Sequence, residues 1–479
     1  MKQDSLPLYE ACLAFLEGQI APLYCPGHKG GRTLPADFKQ RIADLDLNNL
    51  AELDTLHCPS GPIAEAERLL ADAYGVSESF VLVGGSTSGN IASLLSVCSP
   101  GSQVLVQRNA HKSTVAGIVL AGADPIWLTP TCDPTFGIYH GVSAAQLDQA
   151  FRENPRAVAA VVLNPTYFGT VADIAALRGV CAQHGKFLLV DEAHGPHFHF
   201  HRELPLAGED AGADLVVQST HKILSGLSQA AVLHKVNGSI PTERVRKTLQ
   251  LIQTTSPSFP VMISIDYSRW QMVHEGAAIW TRVLDIAGEA RRALGALEGV
   301  RVLDSDSFEG PGSGFFALDP TKIVIDATGL GLSGGELLDE LNRQGIKLEL
   351  SGPTYVLAIL TVGTEKSDLD RLVSAMRAIA AGRQVTTPVS VSGNGLYQQP
   401  KKVQSPGACF WGPQRVVPLE EATGCVCAEI VTPYPPGIPV LMPGEEMSAD
   451  IVERLLAMRA TGIPTSASDP SLKGVLVSG

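Results

Sequence analysis

"VVQSTHKILSGLSQAAVLH", residues 216–234, opens as a β-branched apolar run, turns polar around Lys222, and continues through small residues. The opening has the composition of a buried strand. A lysine placed where that strand ends, beside His221 and the hydroxyls of Ser219 and Thr220, is either a solvated loop residue or a reactive amine. The segments upstream decide between the two.

From about residue 60 to 235 short apolar runs alternate with helical spacing. The strands are expected at 79–83, 103–107, 125–128, 159–163, 186–190 and 214–218, with helices at 143–154 and 173–185 between them. Continuous rather than alternating apolar strands, joined by helices, describe an α/β fold with a mostly parallel sheet covered on both faces. Ligands of such sheets bind beyond the carboxyl ends of the strands. After residue 270 the pattern changes to a long helix at 281–299, a strand at 322–327, a helix at 334–345 and strands in "IKLEL" and "YVLAILT", read as a smaller α/β domain. A Thr/Pro/Ser/Gly-rich tract at 383–402 reads as a linker, and the proline-dense "VTPYPPGIPVLMPGE" (431–445) belongs to a small C-terminal domain. The expected divisions are an N-terminal segment 1–60, a large domain 61–270, a small domain 271–385, and the linker with the C-terminal domain 386–479.

Composition narrows the partners. Thirty-six Lys+Arg stand against 49 Asp+Glu, a net charge of −13, which argues against nucleic acid or an anionic membrane surface and favours a cationic small molecule. The start resembles neither a secretory leader nor an arginine-rich presequence, and no apolar run approaches the ~20 residues of a membrane span. Nine scattered cysteines, an odd number whose closest pair is Cys425 and Cys427, read as reduced thiols in a cytoplasmic protein.

The strand ends, taken in order, supply a set of chemical parts. "GGSTSGN" (84–90) is a glycine-and-hydroxyl turn opening a helix, which offers backbone N–H groups and the positive end of the helix dipole to an anion; the plain alternative is a Ser-capped helix. "RNAHKST" (108–114) carries His111, otherwise an ordinary capping residue. "NPTYFG" (164–169) places Asn164 and Tyr167 on the same rim. "KFLLV" delivers Asp191 and then "EAHG" with His194; an acid at the end of a buried strand calls for a cationic partner. The run 214–218 delivers Ser219, Thr220, His221 and Lys222.

These parts match the needs of pyridoxal 5′-phosphate: a lysine for its aldehyde, an acid for its pyridine nitrogen, and a helix N-terminus for its phosphate. Lys222, Asp191 and the 84–90 loop fill the three roles, and His111 would cover one face of the ring.

"STHK", "VDEAHGPHFHF" (190–200), "GGSTSGN", "RNAHKS", "TLHCPSGPIAEAE" (55–67), "PGHKGG" (26–31), "QTTSPS" (253–258) and "PYPPGIPVLMPGE" together resemble the Orn/Lys/Arg decarboxylase family, in particular its short bacterial branch. The resemblance implies the aspartate-aminotransferase fold, fold type I of the pyridoxal-phosphate enzymes. It implies decarboxylation of arginine, lysine or ornithine to the corresponding amine and CO2, in polyamine or diamine synthesis. It makes Lys222 the Schiff-base lysine and Asp191 the partner of the pyridinium nitrogen. His111 becomes the stacking residue, Ser86, Thr87, Ser219 and His221 become phosphate contacts, and Ser88 joins the cofactor-binding set. His194 lies near the ring, and His221 or Lys222 is the proton donor. The resemblance also implies a homodimer with the active site at the subunit interface, where Thr254 or Thr255 reaches the neighbour's site.

Other readings carry less. His197, His199 and His201 alternate along "HGPHFHFH" like metal ligands, but no Cys or acidic cluster completes a set, and no metal is expected. "TGLGLSGG" (328–335) reads as a turn into a helix rather than a dinucleotide loop. Rival functions are another reaction of the same cofactor (aminotransferase, β-lyase or aldolase) and a non-catalytic homologue with a binding or regulatory role. An aminotransferase would call for a late arginine clamp, and Arg371 is the first candidate after "YVLAILTVGT". Glu349, Glu429, Glu445 and Glu446 are the acids considered for the substrate's distal cation.

Overall fold

All six expected strands lie in one seven-stranded sheet: β1 (Glu78–Leu82), β2 (Gln103–Gln107), β3 (Asp124–Leu128), β4 (Ala157–Leu163), β5 (Phe187–Asp191), β6 (Leu215–Gln218) and β7 (Ala231–Lys235). The computed structural model describes residues 6–305, 314–389, 400–433, 439–461 and 465–479. The sheet order is β1-β7-β6-β5-β4-β2-β3. Only β7 runs against the others, pairing antiparallel with β1 and with β6.

That reversed strand is absent from the expectation, in which "SGLSQAAVLH" (225–234) reads as a small-residue loop. The chain leaves β6, makes one turn of helix over Thr220–Ile223, and returns directly beside the strand it left, with Val217 opposite Leu233 and Gln218 opposite Val232. Such a tight return needs unusual backbone. Gln229 sits at φ 81°, and a Cβ on Gly226 would stand 2.8 Å from Ala230 Cβ and 3.0 Å from His221 N. Both faces of the sheet are covered by apolar clusters, as continuous apolar strands require.

The second difference is the long helix, α1 here, which spans Phe259–Gly295 rather than beginning at 281. Ser258 and Pro260 suit a helix start, because the fixed φ of proline is already helical and its missing N–H is one that the first turn leaves unbonded. Its first half buries Phe259, Met262, Ile265 and Met272, and its second half Trp280, Val283 and Leu294. It runs from the large sheet onto the small one. There the strands Arg301–Val302, Lys322–Asp326, Leu350–Ser351 and Tyr355–Ile359 form an antiparallel sheet with Lys322–Asp326 and Tyr355–Ile359 in the middle. The turn at 328–335 leads into the helix Gly334–Arg343, and Ser333 and Glu336 cap each other at its start.

Residues 390–399 of the expected linker and 434–438 of the proline-dense stretch lie outside the described residues. The C-terminal part pairs Gln414–Pro418 with Gly474–Ser478 over its own apolar cluster, which includes Leu419, Met447 and Leu455. Among the contacts that fasten it to the large domain is a buried ion pair. Arg108, at the end of β2, donates to the carbonyls of Pro439 and Val440 at 3.0 and 3.1 Å and to Glu445 Oε2 at 3.0 Å. All nine cysteines are free thiols. Among the described residues no helix is long and apolar enough to cross a membrane.

Arg108 and Glu445 are 3% and 0% exposed. Removing the cation alone strands a buried carboxylate, so Arg108→Met is expected to cost about 3–5 kcal/mol of stability, read from urea unfolding monitored by tryptophan fluorescence.

Candidate active site

Side chains that the sequence scatters over 130 residues meet at the carboxyl ends of β2, β4, β5 and β6. The helix Gly85–Val97, which follows β1, starts without a side-chain cap, so its first N–H groups face outward. Gly85 has φ 70° and a Cβ there would meet nothing within 4 Å. Ser86 is half-buried and Thr87 exposed beside this open turn. Ser88 is turned inward, its hydroxyl donating to Gly85 O at 2.8 Å. One turn on, Asn90 Nδ2 donates to Asp191 Oδ2 at 2.7 Å and to Ser113 Oγ at 2.9 Å.

Asp191 ends β5 at 3% exposure. Its carboxylate accepts from Asn90 and from the Ala193 amide, and Lys222 is the cation acting on it. Burial pushes its pKa up, while Lys222 and these donors pull it back. The expected positive partner is therefore electrostatic, and the direct hydrogen bonds come from Asn90 and Ala193. His111 caps the helix Lys112–Ala121, accepting from Ser113 N, with Nδ1 2.8 Å from Ser113 Oγ. Burial, with Lys222 and Lys112 nearby, lowers its pKa to about 4.

Lys222 sits on the single helical turn between β6 and β7, and its Nζ lies 3.0 Å from His194 Nε2. Burial drives the lysine's pKa down and, with Lys222 adding to it, holds His194 well below its ordinary value. A neutral His194 thus accepts from the Lys222 amine. His221 is tied elsewhere: its Nδ1 donates to Ala230 O at 2.8 Å, and burial lowers its pKa to about 4. Ser219 Oγ, Asn164 Nδ2 and His194 Nδ1 are buried with no hydrogen-bond partner among the described residues. Three uncompensated polar atoms at these strand ends are what a polar ligand would satisfy.

The "PGHKGG" segment closes the other side. Gly27 N donates to His221 O at 2.7 Å, Thr361 Oγ1 donates to Gly27 O at 2.7 Å, and Val362 N donates to Ile223 O at 3.1 Å. A Cβ on Gly27 would lie 2.2 Å from Leu224 O, so only glycine fits. Lys29 is buried, its ammonium donating to the carbonyls of Tyr24 and Ile359, and burial lowers its pKa to about 8.

Of the acids considered for the distal cation, Glu349 belongs to this site. It accepts from Cys25 N at 2.8 Å and from Tyr167 Oη at 2.5 Å, and its charge reaches Lys222. Tyr167 in turn packs on His194, ring centres 4.5 Å apart. The other three serve the C-terminal part: Glu429 accepts from Ser468 N and Leu476 N, Glu445 pairs with Arg108, and Glu446 lies 4.0 Å from Lys401. Thr254 and Thr255 are exposed, their carbonyls accepting from His57 and Asn49. Arg371 donates to the carbonyls of Gln19 and Gln344 and is no part of the cluster. The three alternating histidines go to separate partners: His197 to Asp319, His199 to Asp210 and His201 to Thr281.

Comparison with known proteins follows this geometry. The family described as "Orn/Lys/Arg decarboxylase, major domain" matches residues 6–368, and "Orn/Lys/Arg decarboxylase, C-terminal domain" matches 401–468. The chain is 34% identical to the arginine decarboxylase of Bacillus subtilis over 477 residues, covering 98% of this chain and 97% of that one. It is 32% identical to the arginine decarboxylase of Bacillus anthracis over 485 residues, covering 98% and 96%. The crystal structure of the Francisella novicida lysine decarboxylase superposes with a TM-score of 0.76 at 21% identity, over 99% of this chain and 77% of that one, and shares its α/β fold. The chain belongs to the Orn/Lys/Arg decarboxylase family.

Proposed function

We propose that this protein decarboxylates a basic L-amino acid, with arginine preferred, using pyridoxal 5′-phosphate carried on Lys222. The observation that carries the reading is a half-buried lysine at a strand end, within electrostatic reach of a buried aspartate, with three polar atoms at these strand ends that have no partner among the described residues. The cofactor supplies, when bound, a cationic conjugated ring that accepts the electron pair left behind as CO2 departs.

The chain's own residues would hold and serve that group. Lys222, its pKa lowered by burial, presents an amine with a larger neutral fraction than a solvated lysine, as attack on an aldehyde requires. Asp191, kept in place by Asn90, would keep the ring nitrogen protonated. The open first turn at Ser86 and Thr87, together with Ser219, would take the phosphate. His111 would cover the ring. His194 holds the Lys222 amine and can exchange a proton with it at Nε2. His221, with Nδ1 committed to Ala230 O, retains Nε2 as an acceptor.

Decarboxylation is favoured over transamination because Arg371 is engaged by backbone carbonyls. Arginine is favoured because the Bacillus subtilis and Bacillus anthracis relatives, at 34% and 32% identity, carry that name. The charge of −13 suits a cationic substrate, and Glu349 is the acid at the site. The same reading makes the protein a cytoplasmic homodimer. It is supported by the exposure of Thr254 and Thr255 and by the helix Pro7–Leu16, which buries none of its residues within this chain.

Three outcomes are expected. Borohydride reduction after incubation with pyridoxal phosphate, followed by peptide mapping, places the pyridoxyl adduct on Lys222, and Lys222→Ala loses both adduct and CO2 release; an adduct at another lysine would overturn the assignment. Asn90→Leu, which removes a donor from a buried carboxylate, weakens cofactor binding by roughly tenfold, about 1.4 kcal/mol, in an absorbance titration. In steady-state assays kcat/KM for arginine exceeds that for lysine and ornithine by at least about tenfold.

A further inference from the structure

Behind the strand ends that carry Asp191 and Lys222 lies a second polar cluster that the reaction does not touch. Glu192 and Glu209 are 0% and 5% exposed, and both contact one amide. Gln218 Nε2 donates to Glu192 Oε1 at 2.7 Å and stands 3.1 Å from each oxygen of Glu209. Glu192 Oε2 also accepts from Gly208 N at 2.7 Å. The cage is tight: a Cβ on Gly195 would lie 2.6 Å from Glu192 Cγ, and one on Gly208 would lie 3.1 Å from Glu192 Oε2.

The neighbouring donors and charges are already committed. Tyr74 Oη donates to Pro196 O, and His199 pairs with Asp210 at 2.8 Å. His234 places Nε2 3.3 Å from Gln218 Oε1 and Nδ1 2.8 Å from Ser79 Oγ. Asp191, beside Glu192 in the chain, is a further acid with its own partners. Among the described residues no lysine or arginine forms an ion pair with either glutamate. Two buried carboxylates offset by no lysine or arginine, with the His199 charge reaching Glu209 but paired to Asp210, hold a second negative charge poorly.

We propose that Glu192 and Glu209 hold one proton between them, and that this proton-sharing pair, through Gln218, is the positioning element that fixes the ends of β5 and β6. Gln218 directly precedes Ser219, and Glu192 directly follows Asp191. Glu192 N also donates to Val217 O across the two strands. The carboxyl pair thus links the acid-bearing strand end to the lysine-bearing one. The positioning role rests on the function proposed above, whereas the shared proton does not.

The sign of the pH effect follows from the direction of the shifts. Burial raises both groups: Glu209 to about 7, with the Asp210 charge adding to it, and Glu192 well above its ordinary value, with the Glu209 charge opposing its ionisation. The folded chain therefore holds a proton that the unfolded chain gives up near the ordinary carboxyl range. Stability from the pair is full at low pH and declines as pH rises through the folded values.

The test compares wild type with Glu209→Gln and Glu192→Gln, each of which keeps one charge and supplies amide hydrogens. In thermal melts of cofactor-free protein, both variants gain on wild type as pH rises from about 6 to about 9. A difference that stays constant with pH overturns the shared proton. Infrared spectra of wild type near neutral pH show a carboxylic-acid carbonyl band that weakens in either variant; an unchanged band overturns it as well, without relying on variant stability. For the positioning role, the dissociation constant for pyridoxal phosphate rises over the same pH range by roughly tenfold more in wild type than in Glu209→Gln. Parallel curves overturn that role. Failure of every form to bind pyridoxal phosphate would reject the functional reading and leave the melts and spectra to decide the proton.

Discussion

Two backbone hydrogen bonds on either side of Lys222 hold the molecule's chemistry in place. Gly27 N meets His221 O, and Val362 N meets Ile223 O, so the single helical turn bearing the lysine is clamped between the N-terminal strap and the small domain. A short turn has little stability of its own, since the first turn of a helix fixes several residues for one hydrogen bond. Its geometry here is borrowed from its neighbours. The Arg32–Asp368 pair at 2.6 Å and the hydrogen-bonded contact of Thr33 with Ser225 at 2.7 Å extend the same clamp outward.

The clamp also concentrates charge. Lys29 and Lys322 are buried and Lys222 half-buried at or near the site, offset by Asp191, Glu349 and Asp319. Lys322 and Asp319 form a 3.0 Å pair at 0% exposure, with His197 3.3 Å from the same carboxylate. Burial opposes the charge on Asp319, yet Lys322 and His197 hold its carboxyl well below the ordinary range. Buried pairs of this kind tolerate no single-sided loss, because the remaining ion has no water to turn to. One histidine of the alternating run thereby links the strand-end loop of the large sheet to the small sheet. This gives His197 of "HGPHFHFH" a structural role.

What the sequence disclosed and what it withheld follow from the range of the interactions. The six apolar runs are local signals of buried strands, and each appears within about two residues of its expected bounds. Lys222, Asp191, His111 and His194 were legible because strand ends are where a parallel sheet places ligands. β7 was not, because its reversal depends on a left-handed Gln229 and on close packing at Gly226, which look like an ordinary loop in one dimension. The start of α1 was hidden by the mixed run "YSRWQMVHEG", whose burial depends on two sheets that lie far apart in sequence. Asn90 stood in plain view within "GGSTSGN", but its bond to Asp191 spans 101 residues. The acids Glu429, Glu445 and Glu446 could not be sorted from Glu349 without knowing which layer of the molecule each one faces.

The strap that completes the clamp has a consequence for how the chain is made. Residues 26–32 emerge from the ribosome early, yet Thr361, which binds Gly27, and Asp368, which binds Arg32, lie 334 and 336 positions later. At translation rates of ~5–20 residues per second, the nascent strap waits roughly 20–70 s for its anchors. Gly27 has no backbone to pack against until the Lys222 turn has been made, and the small-domain half of the clamp follows later still. The lysine's surroundings are therefore among the last parts of the protein to acquire their native form.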